Sequence, residues 1–163
     1  MQKIIGSDTS CIGYLIQINL LNLLQIIYGE IIIPQAVYDE IQNLKFNERS
    51  SFKFQSADWI KIYPATNLSN VKKYQHILDK GELEAISIAI DLKADLLILD
   101  EKLGRIVATS IGFDITGLVG ILIIAKNRGL ISSVKEVLNK VISLGCRISQ
   151  HLYNIALKSC NEV

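Results

Sequence analysis

The sequence predicts an α/β fold in which a central, mostly parallel sheet of four or five strands is flanked by helices, and three observations predict it. Short apolar runs alternate with helical patterns along the chain. The runs are continuously apolar rather than alternating with polar residues, as strands covered on both faces require. Two of them lead directly into an acid, Asp8 and Asp100.

The elements follow in order. Residues 3–7 form the first apolar run, and a helical pattern covers 15–27. Residues 31–33 repeat the strand pattern and stop at Pro34, followed by a helix over 35–44. The polar segment 45–55 reads as a mobile loop, and 59–63 as a short strand ended by Pro64. A helix over 82–93, a strand over 96–99, a helix over 102–111 and an edge strand over 113–115 come next. Helical patterns at 117–126, 134–144 and 149–157 complete the chain, and no internal repeat or low-complexity tract interrupts it.

At 163 residues and 18.2 kDa the chain fits one domain, 1–163, that buries roughly two-thirds of its unfolded surface. Its last part, about 132–160, reads as a helical extension of that domain. Half of the residues are hydrophobic and mean hydropathy is +0.33, enough to offset ordering entropy and to exclude disorder. Apolar stretches such as 115–125 fall short of the ~20 residues that span a bilayer, so no membrane segment is expected. The first residues lack the apolar core and cleavage site of a signal peptide, which predicts a cytoplasmic protein. Cys11, Cys146 and Cys160 are odd in number, widely spaced and never in a Cys-x-x-Cys pair, which predicts reduced thiols rather than disulfides or zinc. A net charge of +1 gives no global attraction to a polyanion, so any grip on nucleic acid must be local.

Ligands of open α/β sheets bind beyond the carboxyl ends of the strands, which singles out Asp8 and Asp100. Either can equally be a helix N-cap. On the helix over 82–93, Leu83, Ala85, Ile86, Ala89, Ile90 and Leu92 make a broad apolar arc with Glu82 near its middle, while Glu84, Ser87 and Asp91 share the opposite, solvated face. A carboxylate centred on a buried face is costly unless paired or coordinated. Asp79 and Glu82 also have capping-box spacing, the structural alternative. Glu40 lies on the flank of the stripe formed by Val37, Ile41 and Leu44 and would by itself read as a surface acid.

The segments Ser7-Asp8-Thr9-Ser10, Pro34-x-x-Val37-x-x-Glu40, Gly81-Glu82-x-Glu84-Ala85-Ile86 and Leu97-Ile98-Leu99-Asp100 stand in the order and spacing of the PIN-domain family, which the chain resembles. Gly117 to Leu122, Ala125 to Ile131 and Arg147-Ile148-Ser149 resemble the tail of a bacterial and archaeal PIN subgroup. The likeness implies a three-layer PIN-like fold and a metal-dependent ribonuclease of the VapC-like toxin type. Asp8, Glu40, Glu82 and Asp100 correspond to its four acids. Glu82 stands where many PIN nucleases have Asp, and Cys11-Ile12 replaces a frequent Pro-Leu.

A carboxylate cluster without nearby His or Cys suits Mg²⁺ or Mn²⁺, with Asp8 and Asp100 as central ligands and Glu40 and Glu82 completing the set. Thr9 and Ser10 either orient metal-bound waters or a phosphate, or cap the following helix. Lys102 and Arg105, just beyond Asp100, are candidates for the RNA backbone, with solvated surface charge the alternative; His76 and His151 are isolated. The resemblance further implies RNA as substrate, a small antitoxin protein as partner and a homodimer. Two other classes remain open: a PIN-like module that binds nucleic acid or protein without cutting, and a phosphotransfer or receiver domain. Against the last, Asp8-Thr9-Ser10 lacks a second Asp two residues on, and the chain has no nucleotide-cradling glycine loop.

Overall fold

The computed structural model describes residues 2–6, 9–44, 57–65 and 67–163, so Asp8 and the loop expected at 45–55 lie outside the described residues. Five strands, β1 (Ile4–Gly6), β2 (Ile31–Pro34), β3 (Ile60–Tyr63), β4 (Leu96–Ile98) and β5 (Ile115–Thr116), make one parallel sheet in the order β3-β2-β1-β4-β5. Ile5 is in register with Ile32 on one side and with Leu97 on the other. The chain therefore steps outward from β1 through β2 to β3, then crosses back to lay β4 on the free side of β1. That reversal opens a crevice between the carboxyl ends of β1 and β4, the topological switch point at which open α/β sheets bind ligands.

Successive strand side chains point to opposite faces, and the continuous apolar runs fill both. Ile4 and Ile98 join one core with the helices α1 (Thr9–Gln17), α2 (Asn22–Tyr28), α3 (Gln35–Gln42), α6 (Leu118–Asn127), α7 (Val134–Ser143) and α8 (Gln150–Ser159). Ile5, Leu97 and Leu99 join the other, with α4 (Lys80–Leu92), α5 (Lys102–Ile111) and Val71 of a short 3-10 helix over Ser69–Tyr74. The fold class read from the sequence is thus the observed one.

Three local expectations are corrected. The helical pattern over 15–27 is two helices bent by 115° to each other, and the first begins earlier, at Thr9. The break is a Schellman turn: Leu20 N–H bonds Leu15 C=O, Asn19 N–H bonds Ile16 C=O, and Asn19 sits at φ 58°. Asn tolerates this left-handed geometry, so nothing as conspicuous as glycine marks it. The edge strand is Ile115–Thr116 rather than 113–115, because Phe113 N–H is spent on Ala108 C=O in the turn made by Gly112 at φ 111°.

The third correction concerns α4, whose second face is solvated at Asp91 but not at Glu84 and Ser87. Glu84 and Ser87 are 6% and 1% exposed, as buried as Glu82 at 5%. Ser87 Oγ bonds Asn67 C=O and Asn70 Oδ1, each at 2.9 Å, beneath the 3-10 segment, and Glu84 takes a hydrogen bond from the backbone of Ala36 at the start of α3. The helix is sandwiched, so apolar periodicity alone does not separate its two glutamates. Of the described residues, no single helix is long and apolar enough to cross a membrane.

Candidate active site

The carboxyl end of β1 leads into α1, whose first residue, Thr9, donates its hydroxyl to Glu40 Oε2 at 2.6 Å. The acid of α3 is thereby tied to the start of α1. In α4, Asp79 is the N-cap and its Oδ1 accepts Glu82 N–H at 2.8 Å, fixing the turn from which the Glu82 side chain departs. Glycines allow these helices to approach. A Cβ on Gly81 would lie 3.2 Å from Val37 Cγ2 and 3.6 Å from Glu40 Oε1, and one on Gly104 would lie 3.3 Å from Glu82 Cδ. Glu40 and Glu82 therefore meet, with Thr9, Ser10, Asp79 and Glu101, around a cavity of about 70 Å³. That exceeds the ~10–15 Å³ one water needs.

Asp100 stands two residues beyond β4, exposed, and both of its carboxylate oxygens lie within hydrogen-bond reach of Leu118 N–H, at 3.1 and 3.3 Å. It thus holds the N-terminus of α6, while the N-cap position of its own helix, α5, falls to Glu101. Gly117 makes room here: a Cβ would come within 2.9 Å of Asp100 Cγ and closer still to Oδ1, so the carboxylate would have to shift. Asp100 opens on a second, larger cleft of about 340 Å³, which shares Ser10 and Glu101 with the small cavity. Arg105 lines that larger cleft, while Lys102 is exposed at the start of α5 and borders neither.

The donors gathered at the small cavity are all oxygen atoms, and the glycines at 81, 104 and 117 leave clear the space in front of Glu40, Glu82 and Asp100. This chemistry fits a hard divalent cation rather than zinc. Among the described residues, which do not include Asp8, no group of three His, Cys, Asp or Glu is disposed to hold an ion. Nearby, burial first of all pushes the Glu84 carboxyl above its usual range, with Asp39 and Glu40 adding to the shift and Lys80 and the Ala36 hydrogen bond opposing it. Glu84 Oε2 has no hydrogen-bond partner among the described residues. None of the three cysteines is in a disulfide; Cys11 and Cys160 are buried, Cys146 partly so.

Sequence reasoning missed the supporting cast: Asp79 and Glu101 as further acidic lining, and the glycines that seat the carboxylates. Gly81 immediately before Glu82 and Gly117 at a helix start were the available signals, because glycine permits close approach.

An open parallel sheet whose switch point gathers carboxylates beyond the strand ends defines an α/β domain built to bind at that edge. The model of the PIN domain matches residues 4–162, and the chain belongs to the PIN-domain family. PIN domains are generally nucleases and typically use divalent metals. No curated protein matches the chain.

Proposed function

We propose that this PIN domain is a metal-dependent ribonuclease that hydrolyses RNA phosphodiester bonds, with Asp8, Glu40, Glu82 and Asp100 as its acids. The observation that carries the reading is the convergence of Glu40 and Glu82, from helices far apart in sequence, on one small cavity at the switch point that Asp100 adjoins. Asp8 precedes Thr9, the residue that ties Glu40 to this edge. A bound Mg²⁺ or Mn²⁺ supplies charge neutralisation and an activated water for phosphodiester hydrolysis. The hydrogen bonds from Thr9 to Glu40, within the Asp79-capped turn that carries Glu82, and from the α6 N-terminus to Asp100 support a site arranged before any ion arrives. Ser10, on the wall common to both cavities, is placed to contact metal-bound water or a phosphate.

The likeness to the VapC-like subgroup supports the narrower reading of a toxin of a type II toxin–antitoxin pair, neutralised by a small antitoxin and acting as a homodimer. Labelled RNA incubated with Mg²⁺ or Mn²⁺ tests the activity. Wild type is expected to cut, EDTA to stop it, and Asp8→Asn or Glu82→Gln to lower the rate by about 100-fold or more. Equal cutting by wild type and both variants refutes the assignment.

A second reading, a PIN-like module that binds nucleic acid or protein without cutting, is equally compatible with the family match and with the low net charge of +1. Calorimetric titration with Mn²⁺ separates the two: a nuclease binds the ion and Asp8→Asn weakens it, whereas a non-catalytic module needs no such site.

A further inference from the structure

We propose that the corner between α7 and α8 belongs to the substrate site, with Arg147 and Arg105 gripping an RNA phosphate that flanks the bond to be cut. The inference rests on the ribonuclease reading and extends it to residues outside the four acids. The segment Arg147-Ile148-Ser149, distinctive in the sequence, has a defined geometry. Helix α7 ends in a Schellman turn, in which Cys146 N–H bonds Val141 C=O and Gly145 N–H bonds Ile142 C=O, with Gly145 at φ 102°. Ser149 then caps α8, its hydroxyl accepting Leu152 N–H at 3.1 Å. Between these two stops the chain has only Cys146, Arg147 and Ile148; Ile148 packs on the core and Arg147 is exposed along the cleft of about 340 Å³.

That cleft has a polarity. Ser10 and Glu101 line both this cleft and the small acidic cavity, Asp100 lines the cleft beside them, and Arg105 and Arg147 are its cationic lining, with Leu118 and Val119 as apolar lining. Its volume lies at the small end of the ~300–1,000 Å³ typical of ligand sites. It suits one nucleotide of a single strand rather than a folded RNA. Although two acids line the same cleft, neither arginine forms an ion pair among the described residues, where the single pair is Lys126–Glu162. Both guanidinium groups therefore keep their planar fork available for phosphate, which it matches with paired hydrogen bonds. The near-neutral net charge of +1 makes such a local grip necessary.

Fluorescence anisotropy with a labelled 12-nucleotide single-stranded RNA in Ca²⁺ buffer, over a salt series, tests the proposal on wild type, Arg147→Ala, Arg147→Lys and Arg147→Glu. Arg147→Ala is expected to weaken binding about tenfold and to flatten the slope of log affinity against log salt by about 0.7, one phosphate contact. Lys is expected to recover part of the loss and Glu to deepen it. In Mn²⁺ the Ala variant is expected to raise KM far more than it lowers kcat, with its melting temperature unchanged because the side chain is exposed. If wild type binds and cuts RNA but every Arg147 variant binds with the same affinity and salt slope, the proposal is overturned while the ribonuclease reading stands. A cleft built for a protein segment gives that same unchanged RNA binding. If wild type neither binds nor cuts RNA, both readings fall.

Discussion

Glu84 shows how a single side chain couples this site to stability. It lies buried on α4, with one carboxylate oxygen unpartnered, and its pKa is raised, chiefly by burial. A raised carboxyl pKa means that the folded protein holds the proton more tightly than the unfolded chain. The folded state is therefore favoured at and below the ordinary value of 4.5 and loses that advantage as pH rises through the native value. Glu84→Gln, which keeps the shape and removes the charge, is expected to stabilise the protein near neutral pH and to flatten its pH dependence above 4.5. Urea denaturation at pH 5 and pH 8 checks this; an equal or larger loss of stability between those values in the variant contradicts it. Of the two buried glutamates, Glu82 was legible from its place in the apolar arc. Glu84 was not, because a helical wheel assumes a face that is wet along its whole length, and on α4 that face is covered at Glu84 and Ser87 and open only at Asp91.

At the scale of elements, helix ends set the geometry of the candidate site. Asp79 caps α4 and lines the small cavity, so its side chain both supports the helix and shapes the edge where Glu82 emerges. Asp79→Ala is expected to cost about 1 kcal/mol, read as a lower urea midpoint at unchanged slope. Full retention of stability would show that the first turn is held by packing alone. Strands were legible because parallel strands buried on both faces are uniformly apolar, as in Leu96 to Leu99. The break between α1 and α2 was not, since Asn19 carries no glycine or proline signature and the turn is defined by backbone hydrogen bonds. The 3-10 segment over Ser69–Tyr74 escaped for a similar reason: its one fully buried apolar residue, Val71, leaves no periodicity to read.

Across the whole molecule, the last residues fasten the C-terminal helices together. Glu162 accepts hydrogen bonds from Ser133 Oγ at 2.6 Å, Val134 N–H at 2.7 Å and Lys135 N–H at 3.3 Å, and lies 4.0 Å from Lys126 Nζ. Burial pushes its carboxyl upward, but these hydrogen bonds and the Lys126 charge outweigh that and leave it below the usual range. The stability it contributes is present above 4.5 and is lost as pH falls through the lowered native value. Glu162→Ala is expected to lower the melting temperature at pH 7 by a few degrees, on the order of 1–2 kcal/mol, with the gap to wild type closing in acid. A gap independent of pH argues against the capping role. Because the turn after α7 and Leu152 of α8 also line the larger cleft, we propose that residues 1–163 act as one domain whose helical extension serves the site.

The sequence by itself determined the α/β class, the alternation of strands and helices, the family and the strand-end position of Asp100, because these depend on apolar patterning and short motifs that survive without a third dimension. Only the tertiary structure decided that Glu40 and Glu82 face one cavity, that Gly117 makes room for Asp100, that both glutamates of α4 are buried, and that Arg147 reaches the same edge as Asp100. Those facts depend on which distant elements pack together, and local periodicity carries no record of the partner.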